Sequence, residues 1–493
     1  MAQSSVPYRE YRGTIDDVAP DEFGPPPTAG TAIGSPYGDG DGDGGGVGKQ
    51  GAAKSLPKRI FAFLTRGGTG FDAFLLAASQ EVGQVILTLP WVFSLVGMKS
   101  GILLQVVFAT TALYTNYLLV NLHTEFRKRL AEDRSDPRSG DPHYVVSYHD
   151  IMGGLVGPFC GRFAFGVVFL SLFGLSTVQI IATGSNMYLL DGSLPKRTWS
   201  LIAGGVFSLL AFVPNFRHYR LLVVLANTAT TYTSWYMTIT SLKEGPVEDV
   251  VYDAPRDASD WFRGMVGLLF CFGGHASNIE VADVMDDHST YDRAYFYSFL
   301  YVFTLTMPNA VSAYYSYGSI ARLNQNAFGL YEQSTARDFG IIMMNINNLV
   351  AFGLFLGPLF HIWERFLHIH QKPFWIRALA RLPLCGVIVL FAIAFPFYGA
   401  INTVLGAFTT SFATYILPMV AFNSVFRTSD DLVGMAKPLP GFARSNFALL
   451  RKANYVAIGL LTVCGVGLGG WSSVTNFVAQ IHKFEYFAEC YGC

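Results

Sequence analysis

Two short stretches put polar and titratable side chains among apolar neighbours. In SQEVGQVILTLP (79–90), Gln80, Glu81, Gln84 and Thr88 interrupt an apolar run from about Phe71 to Met98. In LLFCFGGHASNIEVADVM (268–285), Gly273 and Gly274 precede His275, Ser277, Asn278 and Glu280. A charged group surrounded by hydrocarbon costs several kcal/mol, so each one needs a polar partner, a ligand or a proton. Histidine has an ordinary pKa of about 6.5, so His275 is the first choice for a proton-carrying group. Carboxylates withdrawn from water move toward the same range, which makes Glu81 and Glu280 second choices. Gln80 and Gln84 offer amide donors to an anionic group, with Ser277 beside them in sequence terms on the second stretch. No G-x-S-x-G, H-E-x-x-H or P-loop pattern is present, so enzyme chemistry is not expected. Asp283, Asp286, Asp287 and His288 mimic a metal cluster, but they fall at the end of an apolar stretch, and a solvated loop accounts for them. No cofactor is expected beyond the proton as coupling ion.

The elements that must hold these groups are read from spacing. Positions 81, 84 and 88 follow i, i+3, i+7 and share a stripe if that segment is helical, with Val82, Val85, Ile86 and Leu89 on the other side. Such a stripe faces protein or water, as inter-helix hydrogen bonding or as the wall of a cavity. His275 and Glu280 are five apart and do not share a face of a regular helix, a spacing that suits an unwound bend. Two apolar spans interrupted by Gly or Pro, five spans apart, are the sequence pointer to an inverted-repeat transporter with broken helices 1 and 6. Weaker candidates are Gln179, Thr183, Ser185 and Asn186 in one span and Asn345, Asn347 and Asn348 in another. They suit helix packing or ligand contact, and Asn186 and Asn347 are taken as substrate contacts.

Composition sets the class. The chain of 493 residues is 51% hydrophobic and 14% charged, whereas a soluble domain carries about 25% charge. An all-α polytopic membrane protein is expected. Its eleven spans are roughly 71–98, 101–126, 160–189, 199–214, 220–242, 263–285, 294–319, 337–366, 377–397, 400–426 and 453–471. Net charge of −1 gives no basic surface for nucleic acid. With the N-terminus cytoplasmic, the inside loops carry roughly twice the Lys and Arg of the outside ones, which orients the C-terminus outward. Residues 1–66, with GPPPT and GDGDGDGGGVG, read as a disordered cytoplasmic tail. Residues 67–475 form the transmembrane domain and 476–493 a short extracellular segment. The closing CYGC leaves a disulfide and two free thiols equally open.

Ordered matches carry a resemblance. QVILTLPWVFSLVGM (84–98), TTYTSWY (230–236), FGGHASNIEV (272–281), YVFTLTMP (301–308), RALARLP (377–383), FPFYGAIN (395–402) and GGWSSVTNFV (469–478) occur together, before CYGC. In this the chain resembles the AUX/LAX auxin influx carriers of the amino acid/auxin permease family, nearly from Phe71 to Cys493. The resemblance implies a LeuT-like fold of eleven helices, a 5+5 inverted repeat plus helix 11. It also implies proton-coupled import of indole-3-acetic acid across the plasma membrane. The family's span-6 histidine falls on His275 and its following glutamate on Glu280. The span-1 break falls on residues 80–84. Where members read Asn-Gln-Val-Ala-Gln, this chain has Gln80-Glu81-Val82-Gly83-Gln84, so Glu81 replaces an amide. Asn347 and Asn348 stand in place of His-Gln, and the acidic 283–292 loop in place of a basic one, which makes the chain a divergent member. Two other functions remain open: a proton-coupled amino-acid symporter, and a binding sensor or channel that does not accumulate its ligand.

Overall fold

The computed structural model describes residues 69–136, 138–139, 144–213, 220–283, 285, 291–369, 371–435 and 437–489. The N-terminal tail, the terminal CYGC and most of the acidic 283–292 loop lie outside them. The described residues belong to one compact unit, Ser55–Cys493. Among them are helices, turns and coil, and no strand. An apolar medium offers the backbone no hydrogen bonds, so a chain of this composition has to satisfy them within each segment.

Each of the eleven apolar stretches falls on a helix or a helix pair. The first is α1 (Gly70–Val82) with α2 (Val85–Val96), followed by α3 (Met98–Glu132). A short helix α4 (Tyr148–Leu155) precedes α5 (Pro158–Leu190), α6 (Lys196–Ser208) and α7 (Arg220–Glu244). The sixth stretch is again a pair, α8 (Ala258–Phe270) and α9 (His275–Asp283). Then come α10 (Tyr291–Tyr317), α11 (Thr335–Phe366) and α12 (Phe374–Ala394). Two more helices, α13 (Tyr398–Val425) and α14 (Phe447–Phe484), follow; α14 runs past residue 475, well into the segment expected to lie outside the membrane. Among the described residues, seven segments qualify as membrane spans by length and hydropathy, or eight if α1–α2, bent by 46°, is taken as one span. Helices α6, α7 and α10 are too short or too polar to qualify on composition, although they pack with the rest.

The first break has local causes. Thr69 caps α1, and the Asp72 carboxylate accepts a hydrogen bond from the Thr69 N–H at 2.9 Å, completing a capping box. The helix stops at Gly83, and α2 contains Pro90. Proline has no N–H to give the carbonyl four residues back, which is that of Ile86. The Asn309 amide of α10 supplies the missing donor at 2.9 Å. The expected stripe is therefore split by the break: Glu81 lies in the last turn of one helix, Gln84 in the break as the N-cap of the next, and Thr88 within that next helix.

The second break spans Cys271–Gly274, between α8 and α9. The Gly274 carbonyl accepts the first turn of α9 from Ser277 and Asn278, at 3.1 and 2.9 Å. His275 and Glu280 thus both sit on a regular helix, and the unwound residues precede His275 rather than separate the two. In α13 the turns over Gly406–Ile416 widen to π geometry. A Cβ at Gly406 would come within 2.3 Å of the Val266 carbonyl, so α8 and α13 touch backbone to backbone there.

Buried ion pairs tie the helix ends. Asp72 of α1 meets Arg220 of α7, and Asp260 of α8 meets both Arg263 and Arg322. Glu364 of α11 is held by Arg381 of α12 at 2.6 Å.

Candidate functional site

The two breaks face each other across a narrow cleft, of which only about 40 Å³ is open to a water-sized molecule. Gln80, Glu81 and Val85 line it from α1–α2, and Gly273, Gly274, His275, Ala276 and Ser277 from the start of α9. Helix α5 contributes Val168, Ser171, Leu172 and Leu175, and the widened part of α13 contributes Thr410, Ala413 and Thr414. Phe270 of α8 and Phe355 of α11 are the two aromatic rings of the wall. The wall thus combines polar and titratable groups, Gln80, Glu81, His275 and hydroxyl side chains, with aliphatic and aromatic ones.

Glu81 is 2% exposed, and its Oε1 accepts a hydrogen bond from the Asn278 amide at 3.3 Å. Oε2 has no hydrogen bond of normal geometry among the described residues, and neither does the hydroxyl of Tyr295 beside it. Gly274 allows this approach. A Cβ there would lie 3.3 Å from Glu81 Cγ and 3.4 Å from Asn278 Nδ2, tighter than side chains normally tolerate.

His275 is fully buried. Its Nε2 lies 3.0 Å from the Ala112 carbonyl and 3.1 Å from the Thr115 hydroxyl, both on α3. A carbonyl can only accept, and the Thr115 hydroxyl already donates to backbone carbonyls, so Nε2 carries the hydrogen. That leaves Nδ1 as the site that gains or loses a proton, and it has no partner among the described residues. The Gln80 Oε1 atom is likewise buried without a partner. Ser277 turns its hydroxyl back onto the Gly274 carbonyl at 3.0 Å and supports the break.

The other residues singled out from sequence lie elsewhere. Gln84 forms a reciprocal amide pair with Asn402 of α13, at 3.2 and 3.1 Å, away from the cleft lining. Asn186 donates to Asn345 at 2.9 Å and accepts from Asn326 at 2.8 Å, within a seam between α5 and α11. Asn347 is fully buried with neither amide atom hydrogen-bonded among the described residues, and it is not part of the cleft wall. Glu280 is half-buried further along α9, also outside the wall. Sequence reasoning noted Asn278 without giving it a role, and it missed Asn402, Tyr291 and Tyr295. The spacing of Tyr291 and Tyr295, four apart in an apolar helix, was the available signal.

A helical bundle whose two broken helices line one cleft with titratable groups defines a membrane transporter of the LeuT-like fold. A solved structure with the same architecture, MhsT in complex with L-phenylalanine, matches at a TM-score of 0.57 with 13% identity, over 80% of this chain and 98% of that one. Residues 66–432 match the model of the family described as transmembrane amino acid transporter protein. Auxin transporter-like protein 1 of Medicago truncatula is 38% identical over 434 residues, 87% of this chain and 89% of the relative. Auxin transporter protein 1 of Arabidopsis thaliana is 38% identical over 434 residues, covering 87% and 88%. The chain belongs to this family of transporters, in its auxin transporter-like AUX/LAX branch.

Proposed function

We propose that the protein is a proton-coupled symporter that imports indole-3-acetic acid across the plasma membrane by alternating access. The observation that carries this is the cleft itself, where His275 and Glu81 meet an aliphatic and aromatic wall beside two helix breaks. The names of the relatives supply the substrate.

The chemistry follows from the ligand, a flat indole bearing a carboxylate. The carboxylate is received at the start of α9, where the first N–H groups of a helix attract anions. His275, when protonated at Nδ1, adds a positive charge, and Gln80 adds an amide. Phe270 and Phe355 take the ring. Little of the cleft admits a water molecule, so substrate entry requires the walls to part, as alternating access demands. An anion entering a negative interior is opposed by about 2.3 kcal/mol per 100 mV. One accompanying proton removes that opposition, and each pH unit then contributes about 1.4 kcal/mol.

In this reading the eleven helical segments are eleven spans. The segments from α1 to α7 form one five-span repeat and those from α8 to α13 the second, with α14 as the eleventh span. The N-terminus is cytoplasmic and the C-terminus extracellular.

A proton-coupled amino-acid symporter is the second reading. One observation favours it: Glu81 puts a carboxylate on the cleft wall, where an α-ammonium would find an ion partner. Uptake of labelled indole-3-acetic acid in oocytes across external pH, with and without excess amino acids, separates the two. The first reading expects acid-stimulated, concentrative uptake that amino acids do not inhibit. It also expects His275→Ala to abolish the pH dependence, and undiminished acid-stimulated uptake in that variant would refute the role of His275. Binding without accumulation would identify a sensor or channel instead.

A further inference from the structure

We propose that Tyr295 is a positioning residue that lets His275 and Glu81 share one proton. The proposal rests on the proton-coupled reading above and adds a residue to it.

Three buried groups around the start of α9 have unused hydrogen-bonding capacity: His275 Nδ1, the Tyr295 hydroxyl and Glu81 Oε2. Tyr295 is 1% exposed and lies beside the Glu81 carboxylate. Its ring meets the His275 ring edge to face, with centroids 6.0 Å apart and planes at 83°. Buried polar atoms are normally paired, so three unpaired atoms on neighbouring residues call for a reason.

A phenol supplies one, because its O–H both donates and accepts. When Glu81 is ionised, the Tyr295 hydroxyl donates to Oε2, and its oxygen is free to accept from the protonated Nδ1 of His275, directly or through a water. When the proton moves, the N–H bond of Nδ1 breaks and a new O–H bond forms on Tyr295. The original Tyr295 hydrogen passes to Glu81 Oε2. The products are a neutral imidazole, a neutral phenol and a carboxylic acid, so one proton has crossed and Tyr295 is unchanged. The Asn278 amide holds Oε1 in both states. Among the described residues, the other titratable groups facing Glu81 are Cys271 of the second break, Tyr291 of α10 and Tyr415 of α13. None of them carries a positive charge. His275 is therefore the only group of this cluster able to supply the cation that an ionised Glu81 needs.

The test uses Tyr295→Phe in the full chain. Phe keeps the ring packed on His275, Tyr291 and Phe299 and removes only the hydroxyl. Labelled indole-3-acetic acid is followed in two ways: exchange against unlabelled substrate at equal pH on both sides, and net uptake under an inward proton gradient. Exchange should persist. Net uptake should lose the advantage of the gradient, about tenfold per pH unit for one proton, with a flattened pH profile. In a Glu81→Gln background, Tyr295→Phe should change nothing further. A variant with the wild-type pH profile overturns the relay, and so does one that loses exchange and net uptake in proportion. A wild-type protein inert at every pH overturns the functional reading and the relay with it, whereas an active wild type with an unaltered variant overturns the relay alone.

Discussion

The pair of Asp72 and Arg220 ties the start of the first broken helix to α7, and removing one partner should be felt across the molecule. Both side chains are largely buried, at 11% and 5% exposure. Arg220 reaches the two carboxylate oxygens through Nε and Nη2, the latter at 2.5 Å, and Nη2 also donates to the Thr69 hydroxyl at 2.9 Å. Among the described residues, Arg220→Met leaves the carboxylate with the Thr69 N–H and hydroxyl of its capping box alone. Breaking a buried pair from one side costs about 3–5 kcal/mol, because the remaining charge stays desolvated. Unfolding entropy of about 2.1 cal/mol/K per residue over 493 residues amounts to roughly 1 kcal/mol/K, so the Tm should fall by about 3–5 °C. The buried thiols of Cys271 and Cys385 provide the assay, since a thiol-reactive dye reaches them on unfolding. The double variant Asp72→Leu/Arg220→Met removes both charges and should recover most of the loss, because apolar replacement of a buried pair is close to neutral. If Arg220→Met melts with the wild type at the same scan rate, or if the double variant loses the sum of the singles, the pair is not a coupled, desolvated unit and the reasoning fails.

Two further outcomes follow from the site. Gly274→Ala sets a Cβ against Glu81 Cγ and Asn278 Nδ2 and should cut uptake by about tenfold through misplacement of the carboxylate, with surface expression unchanged; wild-type uptake would show that the close approach is dispensable. Asn402→Ala leaves the buried Gln84 amide without its reciprocal partner, at a cost of about 1–3 kcal/mol read as a lower Tm. The pH profile of uptake should not move, and a shifted profile would return Gln84 to the ligand site.

Much of this was legible in the chain. Apolar windows in a sequence with so little charge had to become helices, because lipid leaves the backbone no other partner. The two interruptions were also written locally, as Gly83 with Pro90 and as Gly273–Gly274, since the residues that end a helix act within a turn of themselves. Glu81 and His275 stood out for the same reason: an ionisable group in an apolar segment is conspicuous whatever it touches.

The direction each polar group takes was not local. Gln84 resembled Gln80 in every sequence respect, yet it is spent on Asn402, more than three hundred residues away. Asn186 joined an amide seam rather than the cleft, and Glu280 shares α9 with His275 without sharing the wall. Tyr295 drew no notice in a helix rich in tyrosine, and only the packing of α10 against α1 and α9 brings its hydroxyl to Glu81. Spacing along one helix says which residues share a face, but not which neighbour that face will meet. The sequence by itself determined the class, the helices and the positions of the breaks. Tertiary structure alone decided which polar atoms were paired off in packing and which were left unpaired at the cleft.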